Sequence, residues 1–161
     1  MGRVGSLTIE KIKYRPVMIA QYMFMIIFTG IIVLSFILGG GKLMDQLFSS
    51  SVMTVQSVVT FTFPFCYLVM KAVRKALETE KEMAKVPLIF MTAAQIINFN
   101  FICVVFLVSG LFLEYGAGWF RIQKGTLRSS QMWVDAGGAG ALIILLFSLL
   151  TLSIKYRLGM I

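Results

Sequence analysis

The sequence predicts an all-α fold, a polytopic membrane protein built as a four-transmembrane-helix bundle with both termini in the cytoplasm (N-in/C-in). The first observation is composition: 58% of the 161 residues are hydrophobic and 14% are charged, against about 45–50% and about 25% in soluble domains. The second is a series of four apolar runs of membrane-spanning length. The third is the distribution of Lys and Arg between the runs. At this length we expect a single domain, residues 1–161.

The first two predicted spans cover residues 16–38 and 51–70. Pro16 suits the first helical position, where the backbone amide has no partner inside the helix. Three consecutive glycines follow the first run and predict its end. The second run is the most polar of the four, and Pro64 favours a kink that neighbouring helices must compensate. The segment between the runs, 39–50, is predicted to be an outer loop.

The last two predicted spans cover residues 86–113 and 136–154. Asp135 is placed to act as the N-cap of the fourth helix. The charged segment 71–85 is predicted to extend the second helix and to form the cytoplasmic loop. The longer segment 114–135 is predicted to form the second outer loop.

The positive charges determine the predicted orientation. Eleven of the fifteen Lys and Arg residues fall in the N-terminal tail, the 71–85 loop and the C-terminal tail, and four fall in the other two loops. Because cytoplasmic segments carry the excess of Lys and Arg, both termini are predicted to be inside. We expect an integral, multi-pass protein of the plasma or inner membrane.

A polar stripe in the third span is the first candidate site. Its members share one face of a continuous helix at about 100° per residue, whereas Asn100 points elsewhere. They are Thr92, Gln95, Asn98 and Ser109. Such a stripe is typical of interhelical hydrogen bonds, which join membrane helices, and the alternative is the lining of a pore.

Two further candidate sites are contact surfaces. Small residues spaced by four at the start of the fourth span allow close approach of another helix, from this chain or from a second subunit. They are Ala136, Gly137, Gly140 and Ala141. The loop 114–135 combines aromatic and basic side chains, which are typical of the headgroup interface, and it is the best candidate for a specific contact with lipid headgroups or an acidic partner. Its residues are Trp119, Arg121, Lys124, Arg128 and Trp133.

Residue types that carry chemistry are scarce in this sequence. The chain has no histidine, and no predicted span contains Asp, Glu, Lys or Arg. Histidine is the commonest metal ligand and a frequent general base, and charged residues inside spans mark proton and ion pathways. We therefore predict no catalytic residue, no cofactor and no metal site. Cys66 and Cys103 are predicted to be free thiols about 20 Å apart along the membrane normal, from ~1.5 Å of rise per residue.

These features predict a non-enzymatic integral membrane subunit that assembles with or stabilises a larger membrane complex. The alternative is a small homo-oligomeric channel or pore whose lumen is lined by the third span. The expected partners are membrane lipids and other membrane subunits or further copies of the chain. No nucleic-acid partner is expected, because the basic residues flank apolar runs and form no nucleic-acid-binding motif.

Overall fold

The computed structural model describes residues 15–38, 49–122 and 124–159, and all regular elements in these ranges are helices. The predicted all-helical class is confirmed. In chain order the described residues form α1 (Arg15–Leu38), α2 (Ser51–Phe61), α3 (Phe63–Thr79), α4 (Lys81–Ile97), α5 (Phe101–Tyr115), a 3₁₀ helix (Gly116–Gly118), α6 (Lys124–Arg128), α7 (Ser130–Val134) and α8 (Gly138–Arg157).

Four of the described segments are long and apolar enough to cross a membrane. They are Pro16–Leu38, Ser51–Thr79, Phe101–Gly118 and Gly138–Arg157. Only 22–33% of the apolar stretch in each is buried inside the chain. Most of the surface of these helices therefore faces outward, as expected for helices that lipid or other membrane proteins surround.

The second of these segments is interrupted at Thr62. Pro64 has no amide hydrogen to donate to the preceding turn, so α2 ends at Phe61 and α3 begins at Phe63. The Thr62 amide and hydroxyl both donate to the Val59 carbonyl, at 3.1 Å and 2.6 Å. The side chain of Thr62 thus bonds a carbonyl group in the last turn of α2, and the chain continues as a second helix.

The predicted third span, 86–113, is two helices in the structure, so the prediction of one continuous helix is wrong. Helix α4 ends at Ile97 and α5 begins at Phe101. Between them Phe99 has a positive φ of 57°, a conformation that is uncommon for a residue other than glycine. The side chain of Asn100 then caps α5, because its Oδ1 accepts a hydrogen bond from the Cys103 amide at 3.4 Å.

Helices α4 and α5 lie side by side as an antiparallel hairpin. At its open end Lys81 Nζ lies 3.4 Å from Glu114 Oε2, and the Tyr115 hydroxyl donates to the Lys81 carbonyl. Lys85 Nζ donates to the Arg121 carbonyl at 2.7 Å. We call this end of the bundle the Glu80 end, after the residue where α3 passes into α4, and the opposite end the Phe99 end.

The hairpin brings together two loops that the sequence analysis places apart. Residues 71–85 and 114–135 were predicted to lie on opposite sides of the bilayer, yet the contacts of Lys81 and Lys85 join them at the Glu80 end. The two segments therefore meet at one end of the bundle, and this contact does not fit their assignment to opposite faces of a hydrocarbon core about 30 Å thick.

Helix directions follow from contacts between helices. Helix α1 is antiparallel to α3, because three aromatic pairs step in opposite directions along the two helices: Tyr22 with Tyr67, Phe24 with Phe63, and Phe28 with Phe61 of α2. Helix α3 is antiparallel to α4, since Gln95 returns to the level of Cys66. Helix α8 is parallel to α4, because Ala136 and Met83 line one recess while Ser148 bonds Asn98.

These directions place the start of α1 at the Glu80 end and the end of α8 at the Phe99 end. The first and last described helices thus begin and end at opposite ends of the bundle, whereas the sequence predicts both termini on one side of the membrane. The core of the bundle is built around α4, which packs against α3, α5 and α8. Its fully buried side chains include Leu88 and Met91.

Candidate functional site

A cluster of polar side chains lies at the Phe99 end of the hairpin. Gln95 is fully buried, its Nε2 donates to Cys66 Sγ at 3.8 Å, and its Oε1 accepts from Asn100 Nδ2 at 3.0 Å. One side chain of α4 is therefore bonded to α3 and to the residue that caps α5. Hydrogen bonds between membrane helices contribute about 0.6–2 kcal/mol each, so this chain of contacts holds the hairpin against α3.

Asn98 joins the same end of α4 to α8. Its Nδ2 donates to Ser148 Oγ at 3.0 Å, and the Ser148 hydroxyl in turn donates to the Ile144 carbonyl at 2.9 Å. The Oδ1 of Asn98 is buried and accepts no hydrogen bond from the residues that the structure describes. Through these side chains the cluster links α3, α4, α5 and α8. The Oδ1 of Asn98 remains an acceptor without a donor among the described residues.

The predicted polar stripe is only partly brought together. Thr92 is buried, but its hydroxyl donates to the Leu88 carbonyl of its own helix at 2.8 Å. Ser109 lies on α5, where it donates to the Val105 carbonyl at 2.7 Å. The stripe does not reach Ser109 because the helix that would carry it ends at Ile97.

Asn100 is the member of the cluster that the sequence reading missed. In a continuous helix it points away from Gln95, but in the turn its amide reaches the Gln95 side chain. The signal for the turn was present as two asparagines around Phe99, since Asn side chains favour helix ends and caps over helix interiors.

The hairpin also changes the position of the cysteines. Both thiols are free and buried, and both lie beside the cluster, because Gln95 contacts Cys66 and the Asn100 side chain accepts from the Cys103 amide. In an unbroken helix Cys103 would lie about 12 Å beyond Gln95 along the axis. The predicted separation of about 20 Å between the thiols is therefore wrong, because α5 turns back.

The small residues near the start of α8 pack against α3 of the same chain. Gly137 precedes α8 with φ of 75°, and a Cβ there would lie 3.2 Å from Ala72 Cβ. A Cβ on Gly140 would lie 2.7 Å from Val69 Cγ2. Ala136 and Ala141 are both buried. Of the two predicted roles for these residues, the structure provides the internal contact.

Asp135 does not have its predicted role at α8. It follows α7 as the C-cap of that short helix, and Gly137 occupies the N-cap position of α8. The left-handed conformation of Gly137 turns the chain between the two helices, and glycine adopts it without steric cost.

The aromatic and basic residues of 114–135 lie at the Glu80 end rather than on a separate outer side. The Trp119 ring packs against Phe112 with 5.9 Å between centroids, and Trp133 Nε1 donates to the Leu127 carbonyl at 3.0 Å. Arg121 and Arg128 are exposed. Lys124 begins α6, and its side chain lies outside the described part of the structure.

A buried ion pair at the Glu80 end has no counterpart in the sequence analysis. The Glu114 side chain is fully buried and Lys81, which pairs with it, is 41% exposed. Lys85 lies nearby, 5.0 Å above the Tyr115 ring. The pair joins residues 33 positions apart, so only the hairpin brings them together. Within the described residues no group of three or more His, Cys, Asp or Glu side chains is arranged to hold a metal ion.

No protein-family model, curated protein or solved structure matches this chain. Its function is therefore argued from its own geometry.

Proposed function

We propose that the chain is a non-enzymatic integral membrane subunit that assembles with a larger membrane complex through helix α1. The observation that carries the proposal is Gly30, an exposed glycine in the middle of this apolar helix. A Cβ on Gly30 would meet no atom of another described segment within 4 Å. A partner helix has room to approach α1 closely at this point.

The other glycines inside the apolar helices are used for packing within the chain. A Cβ on Gly110 would lie 2.6 Å from Val17 Cγ2, and one on Gly140 would lie 2.7 Å from Val69 Cγ2. Glycine in a helix interior costs about 1 kcal/mol relative to alanine, and close helix contact is the usual compensation in membranes. At Gly30 this compensation is not supplied by any residue in 15–38, 49–122 or 124–159, which favours a contact with another protein.

The surface around Gly30 fits such a contact. Thr29 is exposed beside it and offers a hydroxyl for a hydrogen bond between helices. Further along, Val33, Leu34 and Ile37 are 50–66% exposed. These side chains give a partner helix an apolar surface that continues from the close approach toward the end of α1.

The alternative, a channel lined by the third span, has less support. Thr92 and Gln95 are 5% and 0% exposed, and α4 is surrounded by three helices of the same chain. A lumen between copies needs its polar lining on the outer surface of each copy. The buried cluster instead fits hydrogen bonding within the bundle.

For orientation, we infer that the Glu80 end faces the cytoplasm. Twelve of the fifteen Lys and Arg residues belong to segments attached to this end, namely 1–15, 71–85 and 114–135, and three belong to segments attached to the Phe99 end. The asymmetry is larger than in the four-span arrangement predicted from sequence, and the excess of Lys and Arg marks the cytoplasmic side. Because α4 and α5 form a hairpin that begins and ends on this side, α1, the α2–α3 segment and α8 leave the N-terminus inside and the C-terminus outside.

Gly30→Leu tests the proposed subunit contact. The open space at Gly30 predicts that the variant folds normally, while the larger side chain keeps a partner helix from approaching. The assay is native mass analysis of gently solubilised membranes, in which the wild type should carry other polypeptides in fixed stoichiometry and Gly30→Leu should lose them. Ala139→Leu, at an exposed position of α8, is the matched control and should keep them.

Three results would contradict the subunit proposal. They are a wild type that runs alone, a Gly30→Leu variant that keeps its partners, and equal loss of partners from Gly30→Leu and Ala139→Leu. Single-channel steps from the purified wild-type protein in planar bilayers would support the channel instead.

A further inference from the structure

An apolar groove runs between the second membrane segment and α8. It has a volume of about 560 Å³ and opens to the surface of the bundle. Its walls are almost entirely apolar, and Thr62 is the one polar residue among the described residues that line it. The exposed side chains along it include Phe61, Phe65 and Ile143, which are 41–65% exposed.

The length of the groove matches one leaflet of a bilayer. Its lining extends along α2 and α3 from Val58 to Val69, and eleven residues of helix rise about 16 Å. The hydrocarbon core of a bilayer is about 30 Å thick, so one leaflet contributes about 15 Å. The groove therefore has room along its length for an acyl chain of one leaflet.

A basic recess continues the groove toward the Glu80 end. Its volume is about 540 Å³, and Leu68 belongs to both cavities. Lys71, Arg74 and Lys75 line the recess, and the exposed Val134 forms part of its wall. Lys71 follows Leu68 by three residues, or about 4.5 Å along the helix. The cations thus lie at the level where hydrocarbon gives way to headgroups.

The charges of the recess favour a phosphate group. Lys71 and Lys75 are exposed, and within the described residues neither of them, nor Arg74, takes part in an ion pair. Two carboxylates, Glu78 and Asp135, also line the recess. They are hydrogen-bond acceptors, which suits hydroxyl groups on the same ligand.

From this continuity of an acyl-length groove with a basic recess, we propose that the chain binds one anionic glycerophospholipid between α3 and α8. The phosphate lies at Lys71 and Lys75, an acyl chain follows the groove past Phe65 and Ile143, and headgroup hydroxyls meet the carboxylates. A hydroxylated headgroup with a single phosphate, as in phosphatidylglycerol, matches this set of groups. The site requires the bundle to lie in a membrane but does not depend on the partner contact at Gly30.

The headgroup half of the site is tested by lipid titration of the purified protein in neutral detergent, followed by native mass spectrometry. Phosphatidylglycerol should bind in preference to phosphatidylcholine, and one molecule should remain after excess lipid is removed. The double variant Lys71→Ala/Lys75→Ala should bind phosphatidylglycerol about thirtyfold more weakly, given the contribution of each basic residue at an anionic surface. The matched control, Arg121→Ala/Arg128→Ala, removes two exposed cations of the same end outside the recess and should change binding less than threefold.

The acyl half is tested by filling the groove. Ile143→Trp places a larger ring in it, whereas Leu146→Trp changes a residue of the same helix that is 56% exposed and does not line the groove. Only Ile143→Trp should reduce phosphatidylglycerol binding. Glycerol 3-phosphate, which has the phosphate but no acyl chain, should not compete. Thermal unfolding of each variant verifies that the bundle is intact.

The proposal is overturned if the two double variants weaken binding equally, since the effect would then be general surface charge. It is also overturned if Ile143→Trp has no effect, if glycerol 3-phosphate competes fully, or if a protein helix is found cross-linked in the groove. A failure of the subunit proposal is separate, because Gly30→Leu leaves the lipid site unchanged.

Discussion

A pair of cysteines at residues 81 and 114 distinguishes the α4–α5 hairpin from a single membrane span. The perturbation is Lys81→Cys with Glu114→Cys. If the chain between them were one helix, 33 residues of rise would separate the two positions by about 50 Å. In the structure Lys81 Nζ and Glu114 Oε2 are 3.4 Å apart. The two arrangements therefore differ by more than the reach of any short cross-linker.

The assay is cross-linking in native membranes with a short bis-maleimide, followed by digestion and mass analysis of the linked peptides. We expect a link within one chain between the peptides that carry positions 81 and 114. The unmodified protein, which has no cysteine at position 81 or 114, should give no such product. Linked material should migrate as a monomer, which separates a contact within the chain from one between copies.

A second pair, Lys81→Cys with Lys155→Cys, provides the contrasting control. With both termini in the cytoplasm, positions 81 and 155 would lie on the same side of the membrane. In the structure Lys81 is at the Glu80 end, while Lys155 Nζ lies 5.9 Å from the centre of the Phe99 ring at the other end. Linking of 81 to 155 without linking of 81 to 114 would refute the hairpin and the directions derived from it.

Three further predictions concern orientation and stability. Reporter fusions should read out, in, in and out, in the order of their positions after residues 42, 78, 124 and 161; the order out, in, out, in would restore the four-span arrangement. Gln95→Leu removes the acceptor of the Asn100 amide and should lower the free energy of unfolding by about 1–2 kcal/mol, measured by unfolding in mixed micelles; an unchanged value would mean that the cluster contributes no stability. Gly110→Ala places a Cβ 2.6 Å from Val17 Cγ2 and should cost about 1–3 kcal/mol, whereas Gly30→Ala should be neutral or stabilising; equal effects would contradict the packing described at Gly110.

The helical class and the approximate positions of the first, second and fourth apolar segments could be predicted from the sequence because both depend on local properties. A run of some twenty apolar residues favours a membrane helix wherever it lies in the fold, and a proline interrupts helical hydrogen bonding through its own missing amide. The break before Pro64 is an example, since α2 ends at Phe61 and α3 begins at Phe63.

Which residues form the candidate polar site depends on whether the predicted third span, 86–113, is one continuous helix. Thr92, Gln95 and Asn98 share a helix in the structure, but Ser109 does not belong with them and Asn100 does bond Gln95. A fixed angle per residue applies only while the helix is unbroken. The break at 98–100 combines a positive φ at Phe99 with a cap from Asn100. Because apolar residues lie on both sides of it, the hydrophobicity pattern predicts one continuous helix.

The sequence by itself determined that the chain is helical and rich in membrane-spanning apolar segments, because hydrophobicity and helix propensity act over neighbouring residues. Only the tertiary structure decided which segments share an end of the bundle. That arrangement depends on contacts between distant residues, such as Lys81 with Glu114 and Lys85 with Arg121. Apolar composition indicates which residues avoid water, but it does not indicate in which direction a helix runs through the bundle. One turn at Phe99 therefore reverses the end of the bundle that every later segment reaches.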